Sequence, residues 1–370
     1  MKRLLASLAL LLLPVAGTAF AECKDTSNYA DARAIVRDLD RIVAPGGVQE
    51  SYKMRIGGVD HWVNARGQDR ANPVLLFVHG GPASPVTPTL WQFQRPIEEY
   101  FTVVNYDQRG AGRTYVEDHS AAVGDSLRIE RYVDDAIELA EQVRKRYGKR
   151  KLVLMAHSWG TLIGMRAALK RPDLFYAYVG IGQVIDVREN ERLSFDYGLQ
   201  QAKVHGNAAA VKELESIAPY PGDRPITRER IVVARKWAQY YGGLSAFRDA
   251  SDYFFKAPLL SPDYEDRDRC AVDEGNMFTL GRVLDEFLAV DQRGVRSFPI
   301  PVLMFMGRHD YTTPSAPTEA WLRAVDAPYK RGIWFEHSAH MIPWEEPGKT
   351  VLRLVQYVLP LAKDADAEKP

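Results

Sequence analysis

The sequence predicts an α/β chain, a mostly parallel sheet with helices on both faces that is interrupted by one long helical insertion. Three observations predict it. Short, continuously apolar runs alternate with amphipathic stretches from Val74 to Ile181. The alternation stops at Asp186 and resumes only at Pro301. The apolar runs end in loops rich in Gly, Asp and His, at the strand ends where open α/β sheets place their sites.

The elements follow in chain order. Lys2 and Arg3 precede an apolar run from Leu4 to Val15, which is too short to span a bilayer comfortably, and Ala19-Phe20-Ala21 offers small residues where a signal peptidase reads. A secretory signal over residues 1–21, cut after Ala21, is therefore expected; an uncleaved anchor is the alternative. Glu22 before Cys23 argues against lipoprotein processing. Ile35, Val36, Leu39, Ile42 and Val43 fall at helical spacing between Ala30 and Val43, and Pro45-Gly46-Gly47 stops that helix. Val48 to Ile56 and Val59 to Ala65 alternate around Gly57-Gly58 and read as a hairpin. Val74 to Val78, Phe101 to Tyr106, Leu152 to Ala156 and Tyr176 to Ile181 read as strands covered on both faces. Ile129 to Arg146 is an amphipathic helix closed by Gly148, and a helix of small residues runs from Trp159 to Lys170.

Asp186 to about Arg296 lacks buried strand runs and is rich in charge and aromatics, among them Trp237, Tyr240, Tyr241, Tyr253, Phe254 and Phe255. It reads as a helical cap. Strands at Pro301 to Gly307 and Ile333 to Phe335, with helices near Glu319 to Val325 and Gly348 to Val358, complete the core. The implied boundaries are a signal over 1–21, core over 22–182, cap over 183–298 and core over 299–370. The tail beyond Leu361 is charged and expected to fray.

Composition bounds the partners. Lys+Arg and Asp+Glu are both 48 in 370 residues, so zero net charge gives no reason to expect nucleic acid or an anionic membrane. No segment after the leader is apolar for long enough to cross a membrane. An exported chain meets a disulfide-permissive compartment, periplasmic or secreted. Its two cysteines, Cys23 and Cys270, either pair or remain thiols, and two cysteines without histidines at ligand spacing make no zinc site. No metal or organic cofactor is expected.

Ala156-His157-Ser158-Trp159-Gly160 lies between a buried strand and a helix. Small residues two before and two after the serine suit the sharp turn of a nucleophile elbow, with Ala156 where glycine is usual. The alternative is a serine that merely caps a helix. An elbow serine needs a base and an orienting acid, which follow it in the order Asp, His. Asp310 closes the strand ending at Gly307, and His340 follows the strand ending at Phe335. His337 competes with His340 as base but sits at the strand end. His309 and His157 read as structural neighbours of the acid and the nucleophile. The oxyanion of acyl transfer needs two aimed donors, here the N–H groups of Trp159 and of Gly81 in His79-Gly80-Gly81-Pro82.

His79-Gly80-Gly81-Pro82, Asp107-Gln108-Arg109-Gly110-Ala111-Gly112 and Ser158-Trp159-Gly160, in that order, resemble the prolyl aminopeptidase (proline iminopeptidase) family of α/β-hydrolases. The resemblance runs from roughly Val48 to Val358 and is weakest across the insertion. It implies an eight-stranded sheet with a helical cap, and release of N-terminal residues, often proline, from short peptides; relatives act on other amides and esters. Family members hold the substrate's free amine with cap acids. The comparable stretch here, Lys236-Trp237-Ala238-Gln239-Tyr240-Tyr241-Gly242-Gly243, has no glutamate. Gly80, Glu189, Glu191, Trp237 and Tyr240 are the substrate-binding candidates, with Glu274 as a further acid. Three functions remain open: an aminopeptidase, an esterase or amidase on a small apolar molecule, and a ligand-binding receptor on a hydrolase scaffold. Ser158 at the elbow disfavours a dehalogenase or epoxide hydrolase, which need a carboxylate there.

Overall fold

A computed structural model describes residues 26–248 and 251–367 of the chain. The leader expected over residues 1–21 and Cys23 lie outside the described residues; Cys270 is disulfide-bonded. The strands are β1 (Val48–Ile56), β2 (Val59–Gly67), β3 (Val74–Val78), β4 (Thr102–Tyr106), β5 (Leu152–His157), β6 (Phe175–Ile181), β7 (Val302–Gly307) and β8 (Lys330–Phe335). They form one sheet in the order β1-β2-β4-β3-β5-β6-β7-β8. β1 and β2 pair antiparallel, as do β2 and β4, and every other pairing is parallel. This is the α/β-hydrolase fold that the motifs imply.

Local chemistry accounts for the elements. Gly57 and Gly58 have φ of 53° and 80°, the left-handed pair that a two-residue hairpin turn requires. β3 to β7 are buried along their whole length, because helices cover both faces of the sheet. On one face, Ile129–Arg146 and Gly160–Lys170 pack Val133, Leu139, Val143, Leu162 and Ile163 against Val74, Leu76, Leu154 and Met304. On the other, Leu75, Phe77, Met155 and Phe305 meet Phe93, Phe101, Leu354 and Val358.

Several boundaries differ from the sequence reading. β8 begins at Lys330 rather than Ile333, since Lys330, Arg331 and Gly332 are exposed and an edge strand needs no apolar residues there. The first helix covers Ala30–Leu39 and turns its apolar stripe outward: Ile35 and Leu39 are 71% and 78% exposed. Arg33 and Arg37 hold it down instead, on the carbonyls of Leu259 and Pro262. Beyond Leu361 the chain stays helical through Ala367 rather than fraying.

Between β6 and β7 no strand occurs among the described residues. Val187–Val204, Ala208–Ile217 and Arg228–Ala238 share a small core of their own, built from Phe195, Ala210, Leu214, Ile217, Ala234 and Trp237. The last helix, Asp266–Leu288, behaves differently. Its Val283 joins the main core, Gly275 leaves space for the Gly110 backbone, and Asp268 pairs with Arg113. The insertion thus divides into a three-helix unit and one helix bound to the sheet.

A buried ion pair fixes the hairpin to the sheet's end. Arg109 and Asp135 are both 2% exposed and form two parallel bonds of 2.9 and 3.0 Å. The guanidinium also donates to the Gly57 carbonyl at 2.9 Å. Removing one charge would leave the other buried and uncompensated, so Asp135→Asn is expected to lower stability by about 3 kcal/mol or more. Urea unfolding checks this; a loss below about 1 kcal/mol would mean the pair is not what holds the hairpin.

Candidate active site

Ser158 sits where β5 passes into the helix Gly160–Lys170, with φ of 54°. A non-glycine residue in that region is strained, and it persists only where its surroundings over-determine it. Here the Ser158 N–H donates to the Ile181 carbonyl at 2.9 Å, and the Ser158 carbonyl accepts from Thr161 N–H at 2.8 Å and Thr161 Oγ1 at 2.6 Å. A side chain at Gly160 would strike the carbonyls of Val78 and His79. The methyl of Ala156 is tolerated because Gly164, opposite it, has none: a Cβ there would lie 2.9 Å away.

Asp310 and His340, which the sequence places thirty residues apart, meet at 2.9 Å between Oδ2 and Nδ1, both almost fully buried. The other Asp310 oxygen accepts from Thr312 N–H at 2.9 Å and Thr313 N–H at 2.7 Å. An ionised carboxylate only accepts, so Nδ1 of the neutral imidazole carries the proton and Nε2 keeps its lone pair. The ring packs over Gly182, where a Cβ would fall 2.8 Å from Cε1, and Gly182 directly follows the residue that holds the Ser158 N–H. Among the described residues, Ser158 Oγ and His340 Nε2 share no direct hydrogen bond. Such bonds are often open before substrate binds. His337 is exposed and donates its N–H to Glu346 at 3.0 Å, while His309 lies against Phe247 with ring centroids 4.6 Å apart.

The three motifs meet through Gln108. Its N–H donates to His79 Nε2 at 3.1 Å and its amide nitrogen to the His79 carbonyl at 2.7 Å, while its amide oxygen accepts from the Trp159 indole at 3.3 Å. Because His79 Nε2 accepts, its Nδ1 must donate to the Gly80 carbonyl, 2.8 Å away. A Cβ on Gly80 would lie 3.1 Å from Ser158 Cβ, so glycine permits the close approach there. Among the described residues, the Gly81 and Trp159 N–H groups make no backbone hydrogen bond. Motif spelling located Gln108 but gave it no role; the available signal was its place in the loop two residues beyond the buried strand Thr102–Tyr106.

The substrate-binding candidates fare differently. Glu189 is held by Arg192 at 2.6 Å. Glu191 is buried and takes Arg235 at 2.6 Å together with the Tyr220 hydroxyl. Trp237 belongs to the insertion's own core, its indole donating to Glu213 at 2.8 Å. Tyr240 is partly exposed and stands edge-on to Trp237 and Tyr241. Glu274 pairs with Arg267 at 2.7 Å. Of these candidates, only Gly80 touches the elbow. The insertion's acids read as amine ligands are already committed to arginines, a pairing that residue type alone does not reveal. Among the described residues, no group of three His, Cys, Asp or Glu side chains is placed to hold a metal ion, and no helix is long and apolar enough to cross a membrane.

Three histidines buried around this strand end stay neutral. Burial pushes His61 and His79 down to about 4 and His157 down to about 3. In the unfolded chain each titrates near 6.5. Below that pH the unfolded state binds protons that the native state refuses, so stability falls as pH drops from about 6.5 toward 4. Asp107, raised by burial to about 6, works in the opposite direction and offsets roughly one of the three protons below pH 6. Urea midpoints measured from pH 7.5 to 5 are expected to fall with pH, and His79→Gln to flatten the slope by about one proton. A midpoint independent of pH over that range would contradict the neutral assignments.

Comparison with known proteins places the chain in a family. The family model described as serine aminopeptidase, S33, matches residues 93–347. The chain is 29% identical over 300 residues to a probable aminopeptidase, YbaC, of Bacillus subtilis (strain 168), covering 80% of this chain and 92% of that one. It is 23% identical over 320 residues to a proline iminopeptidase of Saccharolobus solfataricus, covering 84% and 92%. Among solved structures, a proline iminopeptidase-related protein from Thermus thermophilus superposes with a TM-score of 0.60 at 17% identity, over 85% of this chain and 99% of that one, which shows a shared fold. A hydrolase fold, an elbow serine and the family match converge: the chain belongs to the serine aminopeptidase S33 family of α/β-hydrolases.

Proposed function

We propose that this protein is an exported serine hydrolase that releases N-terminal residues from short peptides through an acyl-enzyme. The observation that carries the chemistry is the buried 2.9 Å bond from His340 to Asp310, beside a strained elbow serine. His340 Nε2 takes the proton of Ser158 Oγ as the oxygen attacks the substrate carbonyl. Asp310 keeps Nδ1 protonated and stabilises the imidazolium that forms. The N–H groups of Gly81 and Trp159 bind the oxyanion, in a role where losing one donor typically costs about 100- to 1000-fold in rate. His340 then returns the proton to the leaving amine, and water, deprotonated by the same imidazole, hydrolyses the acyl-serine. No metal or cofactor enters these steps. The peptidase reading is supported by the family match and by two aminopeptidase relatives matched over 92% of their length.

A second reading, an esterase or amidase on a small apolar substrate, is favoured by a different observation. The acids Glu189 and Glu191 are neutralised by Arg192 and Arg235. Meanwhile an aromatic group flanks the elbow: Trp344 lies 5.7 Å from His157, 4.6 Å from Phe93 and 5.5 Å from Phe254, between ring centroids. Purified mature enzyme assayed on prolyl and alanyl p-nitroanilides and their N-acetylated forms separates the two. The peptidase reading expects the blocked substrates to be turned over at least about 100-fold more slowly, because an unmatched ammonium subsite is costly. Equal turnover would leave the esterase or amidase. In either case Ser158→Ala is expected to remove roughly a million-fold of activity; an active variant would mean another nucleophile.

Export rests on the basic start, the apolar run and Ala19-Phe20-Ala21. Expression of the full chain in a Gram-negative host is expected to yield periplasmic protein beginning at Glu22, as read by intact mass. A cytoplasmic product that retains Met1 would sink this part of the proposal.

A further inference from the structure

Four residues of the insertion, Gly243 to Ala246, run between the loops that carry Asp310 and His340. The Gly243 carbonyl accepts from Tyr311 N–H, Thr312 N–H and Thr312 Oγ1, each at 3.1 Å. The Leu244 carbonyl accepts the His340 N–H at 3.1 Å. The Ala246 N–H donates to Glu345 Oε1 at 2.6 Å, and Glu345 Oε2 accepts from Ala339 N–H at 2.8 Å. One half-buried carboxylate therefore joins the end of this strap to the residue just before His340.

The loop at His340 has no regular structure to hold it. Its fixed points are the His340 N–H on Leu244, the His340 carbonyl on His157 Nε2 at 3.0 Å, and the Ala339 N–H on Glu345. Glu346 grips the preceding turn through His337 N–H and Ser338 Oγ. Only a carboxylate can accept two N–H groups on two oxygens while offering no donor of its own, and its charge strengthens both bonds. The elbow shares in this hold through His157, next to Ser158; the other fixed points come from the strap and from the residues after His340.

We infer that Glu345 is a positioning residue: by binding Ala246 and Ala339 together it sets where the His340 imidazole stands relative to Ser158, and it ties that position to the inserted helices. This rests on the reading of His340 as the base. The strap's other end acts on the acid. Gly243 lies against Tyr311, and a Cβ there would come 2.9 Å from Tyr311 Cβ. Anything that lifts the strap disturbs Asp310 and His340 together. Displacing a catalytic group by about 1 Å can cost on the order of 100-fold in rate.

The test uses the full mature chain and p-nitrophenyl acetate, with active sites titrated by a fluorophosphonate so that unfolded protein does not count. Glu345→Gln keeps the shape but turns an amide N–H₂ toward one of the two backbone donors. Its kcat per titrated site is expected to fall roughly 10- to 100-fold, with KM unchanged to within about two-fold. Gly243→Ala, which lifts the strap without touching Glu345, is expected to shift kcat the same way, and it decides alone if Glu345→Gln yields no folded enzyme. A kcat per titrated site within about two-fold of the parent in the variants that fold, or a rise in KM alone, overturns the inference. His340→Ala run in parallel separates the two levels. If it is inactive while the strap variants are normal, only the positioning role fails; if it is active, the base assignment fails and takes this role with it.

Discussion

The geometry of the candidate site depends on the close meeting of three backbone segments at Ser158. Gly80 approaches the serine's Cβ, Gly160 lies under the carbonyls of Val78 and His79, and Gly164 makes way for the methyl of Ala156. No side chain fits at any of these glycines without moving backbone or a packed residue. That closeness forces the φ of 54° at Ser158 and sets the helix Gly160–Lys170 directly on the strand end. It also decides where Trp159 goes. The indole is driven inward, edge-on to Tyr132 at 5.8 Å, with its N–H on Gln108. The loop after β3 and the elbow are thus locked through one glutamine.

A sheet end this polar is stable only if nearly every buried group is answered. Asp107 shows how far the chain goes to do so. Its two oxygens accept from Thr87 Oγ1 at 3.0 Å, Arg113 N–H at 2.9 Å and the Tyr264 hydroxyl, and Tyr264 comes from the insertion. His79 and His157 are answered by backbone carbonyls as neutral rings, which avoids desolvating a charge. The same economy disqualifies the buried acids as free ligands. Glu191 could be buried only because Arg235 and Tyr220 came with it, and a group so paired has little left to offer a substrate amine.

Much of this was legible in the sequence, and the exceptions have physical reasons. β3 to β7 were readable because burial on both faces demands unbroken apolar runs. The elbow, Asp310 and His340 were readable because such sites sit at strand ends in a fixed order. The start of β8 was not, since an edge strand tolerates Lys330 and Arg331. The first helix was found, but periodicity cannot say what, if anything, covers a stripe, and Ile35 and Leu39 face outward. The neutralisation of Glu189 could have been seen, because Arg192 lies three residues on along the same helix. That of Glu191 could not: Arg235 is 44 residues away and reaches it only through tertiary packing. Glu345 carried no signal in the sequence, because its partners are backbone N–H groups, which every residue has.

The divided insertion gives these contacts a direction. The helix Asp266–Leu288 is bound to the sheet through Val283, Arg113 and Gly110 and completes the wall behind Asp107. The three-helix unit packs mainly on itself and meets the candidate active-site loops at few places. One is Ser194 Oγ with the stack of Tyr197 on Tyr311, whose ring centroids are 3.6 Å apart; another is the strap from Gly243 to Ala246. Both fall on residues that flank Asp310 or His340. A shift of the three-helix unit carried through these two contacts therefore reaches the residues beside Asp310 and His340 directly. Cores switch between discrete packings more readily than they stretch, so such a shift would reset the pair as a unit. The insertion is in this sense coupled to the Asp310–His340 pair as well as packed beside it.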